Sequence, residues 1–263
     1  MKKILITFGG DIYDETTKLV VENGLKYGAD EVWVYDDLWL TQQDFYKQNS
    51  YFWEHPHKRG FGWYIWKPFI IWHALQKLED GDIVMFTDAD CYPIANFSIL
   101  YDICNWDGGI MLFAAETHKQ WKWCKRDTYI VMAQDKEEYR DVQAGVARFM
   151  LFQKGVWKST QFLMEWLTYC VNPLANTFDP SVLGTELDGF IEARAEQAIM
   201  SNLSYKYKLK LYRELCEGGA GSSRDRDLYQ QLFSQVNPHK IKKTAEVKGS
   251  KYFNIEPRCS ITL

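Results

Sequence analysis

Short apolar runs alternate with amphipathic stretches along the first half of the chain. Residues 3–8, 31–35 and 83–86 are mostly aliphatic and aromatic, a pattern typical of short strands that are buried on both faces. Residues 15–27 and 69–78 lie between them and have apolar positions at helical spacing. This β-α-β order predicts an α/β fold with a mostly parallel central sheet flanked by helices.

The ends of these elements have their own signals. Asp14 is a typical N-cap for the first helix, and Gly28 is a typical stop at its C-terminus. Pro68 suits the first turn of the next long helix. Residues 37–60 are aromatic and polar without a clear period, so we expect mostly loop there.

The second half of the chain is less regular. The pattern of apolar positions predicts a strand over residues 143–152 and an amphipathic helix over residues 162–170. Residues 172–189 contain Pro, Gly, Asp and Asn, and we expect a long loop of the kind that is often functional. A helix is predicted over residues 190–203. Residues 217–227 are rich in Gly and Ser and are expected to be mobile.

Composition and charge narrow the range of partners. The chain has 263 residues, of which 46% are hydrophobic, and its net charge is −4, so neither nucleic acid nor an anionic membrane is expected as a partner. Six cysteines without a Cys-x-x-Cys pair predict reduced thiols in a cytoplasmic protein. The first apolar run ends at Gly9, too early for a signal peptide, and no segment is long enough to span a membrane.

Two carboxylates follow the apolar run at residues 83–86 directly. Side chains alternate along a strand, so Asp88 and Asp90 are expected to point the same way at the carboxyl end of a buried strand. They would repel each other unless a cation lay between them, and carboxylate oxygens suit Mg²⁺ or Mn²⁺. For a bare Asp-x-Asp, a solvated turn before Pro93 would be the better explanation, because the pattern is common by chance, but the buried run in front of it favours a metal site at the sheet edge where α/β proteins bind ligands.

A second motif, Arg-Gly-Phe-Gly-Trp-Tyr-Ile-Trp-Lys-Pro, occupies residues 59–68. With Asp88-Ala89-Asp90 it resembles bacterial and viral GT-A glycosyltransferases whose recurring pattern is Arg-Gly-x-Gly-aromatic-x-x-Trp-Lys-Pro. The resemblance continues through three segments, residues 125–127, 143–145 and 165–167. It ends at residues 193–197, which read Ala-Arg-Ala-Glu-Gln where the family often has His-Arg-x-Asp-Gln. The chain therefore lacks the family's imidazole there and has a longer carboxylate arm.

The resemblance implies a fold and an activity. The fold would be a single GT-A domain over residues 1–263, with a nucleotide-sugar-binding half at 1–116 and a less regular acceptor-side half and tail at 117–263. The activity would be that of a hexosyl or pentosyl transferase that depends on Mn²⁺ or Mg²⁺. The donor would be a nucleoside-diphosphate sugar, with a UDP-sugar as the default, and the acceptor a saccharide or glycan.

The resemblance also implies which residues contact the donor. Asp90 would hold the cation with Asp88 beside it, although Asp88 would alternatively contact the sugar or the ribose. Lys67 and Arg59 would contact the diphosphate, because fixed cations stabilise the charge that grows there in the transition state. The other expected donor contacts are Thr7, Phe8, Asp36, Gln143, Gly145 and Gln197. His239 is a candidate third metal ligand.

One carboxylate is the candidate catalytic group. Glu196 occupies the family's Asp position, and in an inverting transferase it would take the proton from the acceptor hydroxyl. In a retaining transferase it would hold the donor sugar instead. Glu192 lies one turn earlier on the predicted helix and is the competing candidate.

Three other functions fit parts of the pattern. A strand followed by Asp-x-Asp also opens haloacid-dehalogenase-type phosphatases, but those usually continue to a Thr, and Tyr92 occupies that position here. A sugar-phosphate nucleotidyltransferase would share the sheet, but its Gly-rich loop with Thr and Arg is absent after residues 3–8. A non-catalytic carbohydrate-binding relative is the third alternative, and the retained acidic residues argue against it.

Overall fold

The computed structural model describes residues 1–10, 13–54, 60–216 and 231–235, without the side chains of residues 116 and 117. The helices and strands follow in chain order: β1 (Lys3–Phe8), α1 (Asp14–Tyr27), β2 (Glu31–Tyr35), α2 (Asp37–Thr41), α3 (Asp44–Gln48), α4 (Ser50–Glu54), α5 (Trp66–Gln76), β3 (Ile83–Thr87), β4 (Cys91–Pro93), α6 (Ile99–Trp106), β5 (Ile110–Lys119), α7 (Arg126–Val131), α8 (Glu137–Arg140), β6 (Gln143–Gln153), α9 (Trp157–Cys170), α10 (Ala195–Lys206), β7 (Leu211–Tyr212) and β8 (Phe233–Gln235). Short 3₁₀ turns cover Phe61–Tyr64 and Gln120–Lys122.

One six-stranded sheet runs through both halves of the chain. Its strand order is β2-β1-β3-β6-β5-β7. β1 is parallel to both neighbours, β5 is parallel to β7, and β6 alone runs antiparallel, between β3 and β5. The prediction of an α/β fold with a mostly parallel sheet flanked by helices is confirmed. A separate ribbon pairs β4 with β8.

The apolar runs in the sequence become strands with two buried faces. In β1, Ile4 and Ile6 belong to the core on one face, while Leu5 between them belongs to the core on the other. In β3, Phe86 belongs to the same core as Ile4 and Ile6, and Met85 belongs to the same core as Leu5. Because neighbouring side chains of a strand point to opposite faces, helices on both sides of the sheet require a continuous apolar run rather than an alternating one.

The prediction of mostly loop over residues 37–60 was wrong, because α2, α3 and α4 occupy most of that segment. These helices are each five residues long, too short to show a period. Stacked aromatic rings hold α3 and α4 in place. Phe45 stacks on Phe69 of α5 with ring centroids 4.1 Å apart, and Tyr46 stacks on Trp53 at 4.8 Å.

Two predicted helix starts were also wrong. Helix α1 begins at Asp14 itself, and its N-cap, Tyr13, makes no side-chain capping hydrogen bond. Helix α10 begins at Ala195 rather than at residue 190. Glu192 therefore lies in the preceding loop, and it does not share a helix face with Glu196.

Several predictions concern residues outside the described ranges. These are the predicted mobility of residues 217–227 and the metal-ligand role of His239. The long loop predicted over residues 172–189 is present, because no helix or strand lies between α9 and α10.

In the part of the chain that the structure covers, no helix has both the length and the apolar character that crossing a bilayer requires.

Candidate active site

A cavity of about 970 Å³ opens where β1 and β3 end. Phe8 forms part of its wall, and Asp88 and Asp90 enter it directly after β3. The N-terminal part of β6 and the first turn of α10 close the cavity from the side of the second half. The carboxyl ends of parallel strands are the usual place for ligands in α/β folds, so this is the candidate active site.

Lys67 lies at the centre of the charged wall. Its side chain is buried, and Nζ lies 2.9 Å from Oδ1 of Asp88 and 3.1 Å from Oε1 of Glu196. Nζ also donates to the carbonyl oxygen of Ala147 at 3.1 Å. Burial alone would lower the pKa of Lys67, but the two carboxylates outweigh burial and raise it. Because Nζ contacts Asp88, Glu196 and Ala147, each of its three protons has a protein acceptor.

Asp88 and Asp90 share one wall of the cavity. Burial raises the pKa of Asp88, against the influence of Lys67, and the neighbouring charge of Asp90 raises it further. Oδ2 of Asp90 accepts a hydrogen bond of 2.8 Å from Nε2 of Gln235. Tyr13 also lines this wall. Its pKa is raised mainly by burial and further by the negative charges of Asp90 and Asp88.

The donor atoms on this wall suit a hard cation. They are carboxylate oxygens, the ligands that Mg²⁺ and Mn²⁺ prefer. Among the described residues, no group of three His, Cys, Asp or Glu side chains is arranged to hold a metal ion. Asp88 and Asp90 therefore fit a cation that takes its other ligands from a bound phosphate and from water.

Glu196 faces Asp88 across Lys67. It lies in the first turn of α10 and is almost fully buried. Burial, opposed by Lys67, raises the pKa of its carboxyl group to about 7. The residue before it, Ala195, has a φ of 44°, a left-handed conformation that costs a non-glycine residue about 1 kcal/mol or more. The indole Nε1 of Trp166 donates to the carbonyl oxygen of Glu196 at 2.9 Å, which fixes this turn.

The glycines of the motif at residues 59–68 allow the chain to turn into α5. Gly60 and Gly62 have φ values of 73° and 55°, which favour glycine. A Cβ on Gly60 would lie 2.5 Å from the ring of Tyr64, and one on Gly62 would lie 2.0 Å from the ring of Trp53. The glycines thus let aromatic rings pack against the backbone that leads to Lys67.

Aromatic rings form another part of the cavity wall, next to the charged one, because Nζ of Lys67 lies 4.9 Å from the ring centroid of Tyr64. Phe8 stacks on Trp66 with centroids 4.1 Å apart and lies 6.5 Å from Phe61. Trp53 packs against Phe61 at 5.1 Å. The cavity therefore offers flat apolar surfaces beside a cluster of charges, as ligand pockets commonly do.

The structure brings six of the predicted site residues into this cavity. They are Phe8, Lys67, Asp88, Asp90, Glu196 and Gln197. Arg59 lies outside the described ranges.

Two predicted residues near the nucleotide side do not line the cavity. Thr7 is fully buried within β1, where it pairs with Val34 of β2. Asp36 caps α2, because its Oδ1 accepts a 2.7 Å hydrogen bond from the backbone N–H of Trp39. Its neighbour Asp37 lines the cavity instead.

The two predicted residues at the start of β6 are also structural. Gln143 donates from Nε2 to the carbonyl oxygens of Ala115 and His118, where the pairing of β5 and β6 is irregular. At Gly145 the backbone of β6 lies close to α10. A Cβ there would lie 2.7 Å from the Cε atom of Met200.

Several cavity residues were missed by the sequence analysis. They are Tyr13, Asp37, Tyr64, Trp66, Arg148, Phe178, Arg194 and Gln235. Arg148 had a visible signal, since it is the one charge within the apolar run of residues 144–152. Its guanidinium pairs with Glu214 at 2.9 Å, and although burial opposes the shift, surrounding acidic groups raise its pKa. Phe178 had no such signal, because its place depends on the path of a long loop.

Comparison with known proteins bears on the fold. No family model and no curated protein sequence matches this chain. Among solved structures, mouse xyloside xylosyltransferase 1 in its apo form matches with a TM-score of 0.50 and 7% identity, over 92% of this chain and 99% of that one. The apo structure of the bifunctional glycosyltransferase WbbM matches with a TM-score of 0.55 and 10% identity, over 89% of this chain and 45% of that one.

At these identities the likeness shows the fold alone. The chain has the fold of these glycosyltransferases, a mixed α/β fold around the central sheet. It spans less than half of the WbbM chain. The activity has to be argued from the cavity.

Proposed function

We propose that this protein is a metal-dependent glycosyltransferase that moves a sugar from a nucleoside-diphosphate sugar to a saccharide acceptor. The observation that carries the proposal is the bridge in which buried Lys67 joins Asp88 and Glu196 in one cavity. A candidate metal carboxylate and a candidate base are thereby held at a fixed separation, and the surrounding fold is that of glycosyltransferases.

Asp88 and Asp90 are the proposed ligands of Mn²⁺ or Mg²⁺. When bound, the cation would neutralise charge on the diphosphate as it leaves. The donor's phosphates belong beside these carboxylates, at the end of β3. A UDP-sugar remains the default donor, and pentoses deserve equal weight with hexoses because one structural neighbour is a xylosyltransferase.

Lys67 is proposed to orient the two carboxylates rather than to contact the diphosphate. Its three N–H donors already have acceptors on Asp88, Glu196 and Ala147. Two other cations line the described part of the cavity, Arg148 and Arg194. These guanidinium groups are the better candidates for the diphosphate, because their planar forks match phosphate oxygens.

Glu196 is the proposed general base. Its carboxylate takes the proton of the acceptor hydroxyl while that oxygen bonds to the anomeric carbon and the bond from that carbon to the diphosphate breaks. Such a single displacement inverts the configuration at the anomeric carbon. A pKa of about 7 suits this role, because a base works best when its pKa lies near the working pH.

A screen of nucleotide sugars tests the proposal. The protein would be incubated with UDP- and GDP-linked hexoses and pentoses, with and without Mn²⁺, and with methyl glycosides as acceptors. We expect release of one nucleoside diphosphate that requires the metal and increases when an acceptor is present. NMR of the product would show an inverted anomeric carbon.

Each rival function predicts a different result. Release of inorganic phosphate from sugar phosphates would indicate a phosphatase. Formation of a nucleotide sugar from a sugar phosphate and a nucleoside triphosphate would indicate a nucleotidyltransferase. Saccharide binding without any turnover would indicate a carbohydrate-binding protein, and each of these outcomes would contradict the proposal.

A further inference from the structure

The loop between α9 and α10 is anchored to the N-terminal end of α7 by a set of long-range polar contacts. We call residues 175–187 of this loop the strap. Both carboxylate oxygens of Asp127 accept backbone hydrogen bonds of 2.8 Å, from Val182 and Leu183. In return, Oε2 of Glu186 accepts the backbone N–H of Arg126 at 2.8 Å. The helix and the strap thus cap each other.

A second anchor lies nearer the cavity. The ammonium group of Lys125 donates to Oγ1 of Thr177 at 2.9 Å and to the carbonyl oxygen of Asp179 at 3.3 Å. These two acceptors flank Phe178, which lines the cavity. One side chain therefore fixes the backbone on both sides of a single ring.

The side chain of Lys125 is buried although it carries a charge. Only 2% of the residue is exposed, and lysine is rarely buried so fully unless it is paired. Burial lowers its pKa, while the carboxylate of Asp127 acts in the opposite direction. A buried cation is costly in an unpaired site. Its two hydrogen bonds to the strap are the compensation that the structure provides.

The position of Phe178 relates it to the acceptor side of the cavity. It belongs to the loop that leads into Glu196, the proposed base, whereas the proposed metal ligands Asp88 and Asp90 follow a strand of the first half. The hydroxyl that loses its proton must lie beside Glu196. Phe178 and Glu196 line the same cavity, so an acceptor ring that carries this hydroxyl would extend from Glu196 along the wall that includes Phe178.

We infer that Lys125 is a positioning residue that holds Phe178 as a contact surface for the acceptor saccharide. The aromatic face of Phe178 would pack against the apolar C–H face of the acceptor ring, as aromatic side chains do in pockets that bind mostly through apolar contact. The inference rests on the proposed function and extends it to acceptor recognition. It also accounts for the segment at residues 125–127, which the cavity itself leaves unexplained.

A double-mutant cycle tests whether Lys125 acts through Phe178. The variants are Phe178→Ala, Lys125→Met and the two combined, assayed with the methyl glycoside that the wild type uses best. We expect each single variant to raise the acceptor KM roughly tenfold, the size of a lost aromatic contact. In Lys125→Met, whose side chain does not line the cavity, the donor KM and the rate of donor hydrolysis without acceptor should not change. The double variant should match Phe178→Ala, because residues that act through one contact are not additive.

Two further variants separate positioning from simple loss of stability. Thr128→Val removes another strap contact, the 2.7 Å hydrogen bond to the carbonyl oxygen of Ala175, without touching the residues beside Phe178. It should lower the melting temperature and leave the acceptor KM unchanged. If Lys125→Met does not fold, Thr177→Val removes one acceptor of the same ammonium at similar volume, and it should raise the acceptor KM in the same direction.

The outcomes separate this inference from the proposed function. Additive effects in the double variant, or an equal rise in donor KM, would overturn the positioning role while transfer by the wild type upholds the function. An unchanged acceptor KM in Phe178→Ala would overturn the saccharide contact. A folded wild type that neither transfers nor hydrolyses any nucleotide sugar would overturn the function and this inference together.

Discussion

The two sides of the cavity are built in different ways. On the strand side, Phe8, Asp88 and Asp90 take their places from the ends of β1 and β3, which are set by backbone pairing and apolar packing. On the loop side, Phe178 and Glu196 take theirs from side-chain contacts between segments far apart in the sequence, such as the hydrogen bond from Lys125 to Thr177.

Under the proposed function, the two sides would have different tasks. Regular strands tolerate few changes of path, so the strand side suits the part of the reaction that all nucleotide-sugar donors share. Long loops vary more readily, so the loop side suits recognition of the acceptor. Lys67 joins the two sides, because it pairs with one carboxylate from each. The predictions below test each side and then the bridge.

The largest effect is expected on the strand side, at Asp90. Asp90→Asn keeps the shape of the side chain beside Gln235 but removes the charge, so we expect it to abolish Mn²⁺-dependent binding of nucleoside diphosphate. Calorimetry with UDP and GDP, with and without Mn²⁺, measures the effect. Asp102→Asn is the matched control, since Asp102 pairs with Lys3 and does not line the cavity. Unchanged metal-dependent affinity in the Asp90 variant would remove the metal site.

The loop side should show its largest effect at Glu196. Glu196→Gln should bind donor and metal as the wild type does but lose transfer by ~10²–10⁴-fold, the contribution of a general base. Because the base must be ionised, transfer by the wild type should rise with pH and level off above about 7, the pKa of this carboxyl. The Gln variant should lack that rise.

Glu192 provides the control for this variant. It lies in the loop before α10 and pairs with Arg194 at 2.9 Å. Because Arg194 is a proposed diphosphate contact, Glu192→Gln should change the donor KM but retain transfer at saturating donor close to that of the wild type. Full activity in Glu196→Gln would exclude it as the base, and a large loss of donor affinity would instead place its carboxylate on the donor sugar, as a retaining reaction would require.

The bridge between the two sides should contribute to stability. Lys67→Met leaves the buried carboxyl of Glu196 and the partly buried carboxyl of Asp88 without their shared cation, and we expect it to lower the free energy of unfolding by about 3 kcal/mol at pH 8. The loss should shrink at pH 5.5, where both carboxyl groups, whose pKa values burial raises, are more often neutral. Chemical denaturation at the two pH values measures this.

A second substitution sharpens the result for Lys67. Adding Glu196→Gln to Lys67→Met removes one of the two uncompensated charges, so part of the lost stability should return at pH 8. Equal losses at both pH values would show that Lys67 contributes through packing alone.

The sequence was sufficient for the strands and for the cavity carboxylates Asp88, Asp90 and Glu196, and insufficient for side chains whose place depends on a loop or a helix cap. Apolar runs such as residues 83–86 must be buried on both faces, which predicts the strands and places Asp88 at the edge of the sheet. Helices α3 and α4 are stabilised by aromatic stacking that extends to Phe69 of α5, and no local period reports that. The place of Phe178 depends on contacts with Lys125, 53 positions away in the numbering and invisible to local patterns.

The two carboxylates after β2 have roles that the local sequence does not distinguish. Asp36 and Asp37 both follow β2, and the sequence does not indicate which of them faces the ligand. The structure assigns Asp36 to the cap of α2 and Asp37 to the cavity, because the cap requires the side chain to turn back toward the N–H of Trp39.

The smallest expected effect follows from this pair. Asp36→Ala should cost about 1 kcal/mol of stability, the usual value of an N-cap, and should leave the affinity for nucleoside diphosphate and Mn²⁺ unchanged. Asp37→Ala should lower that affinity and leave the stability unchanged, since Asp37 is exposed at the cavity and caps no helix. Thermal melts and calorimetry on both variants measure the two quantities. A loss of affinity in Asp36→Ala at unchanged stability would instead support the donor contact that the resemblance to GT-A glycosyltransferases implies for Asp36.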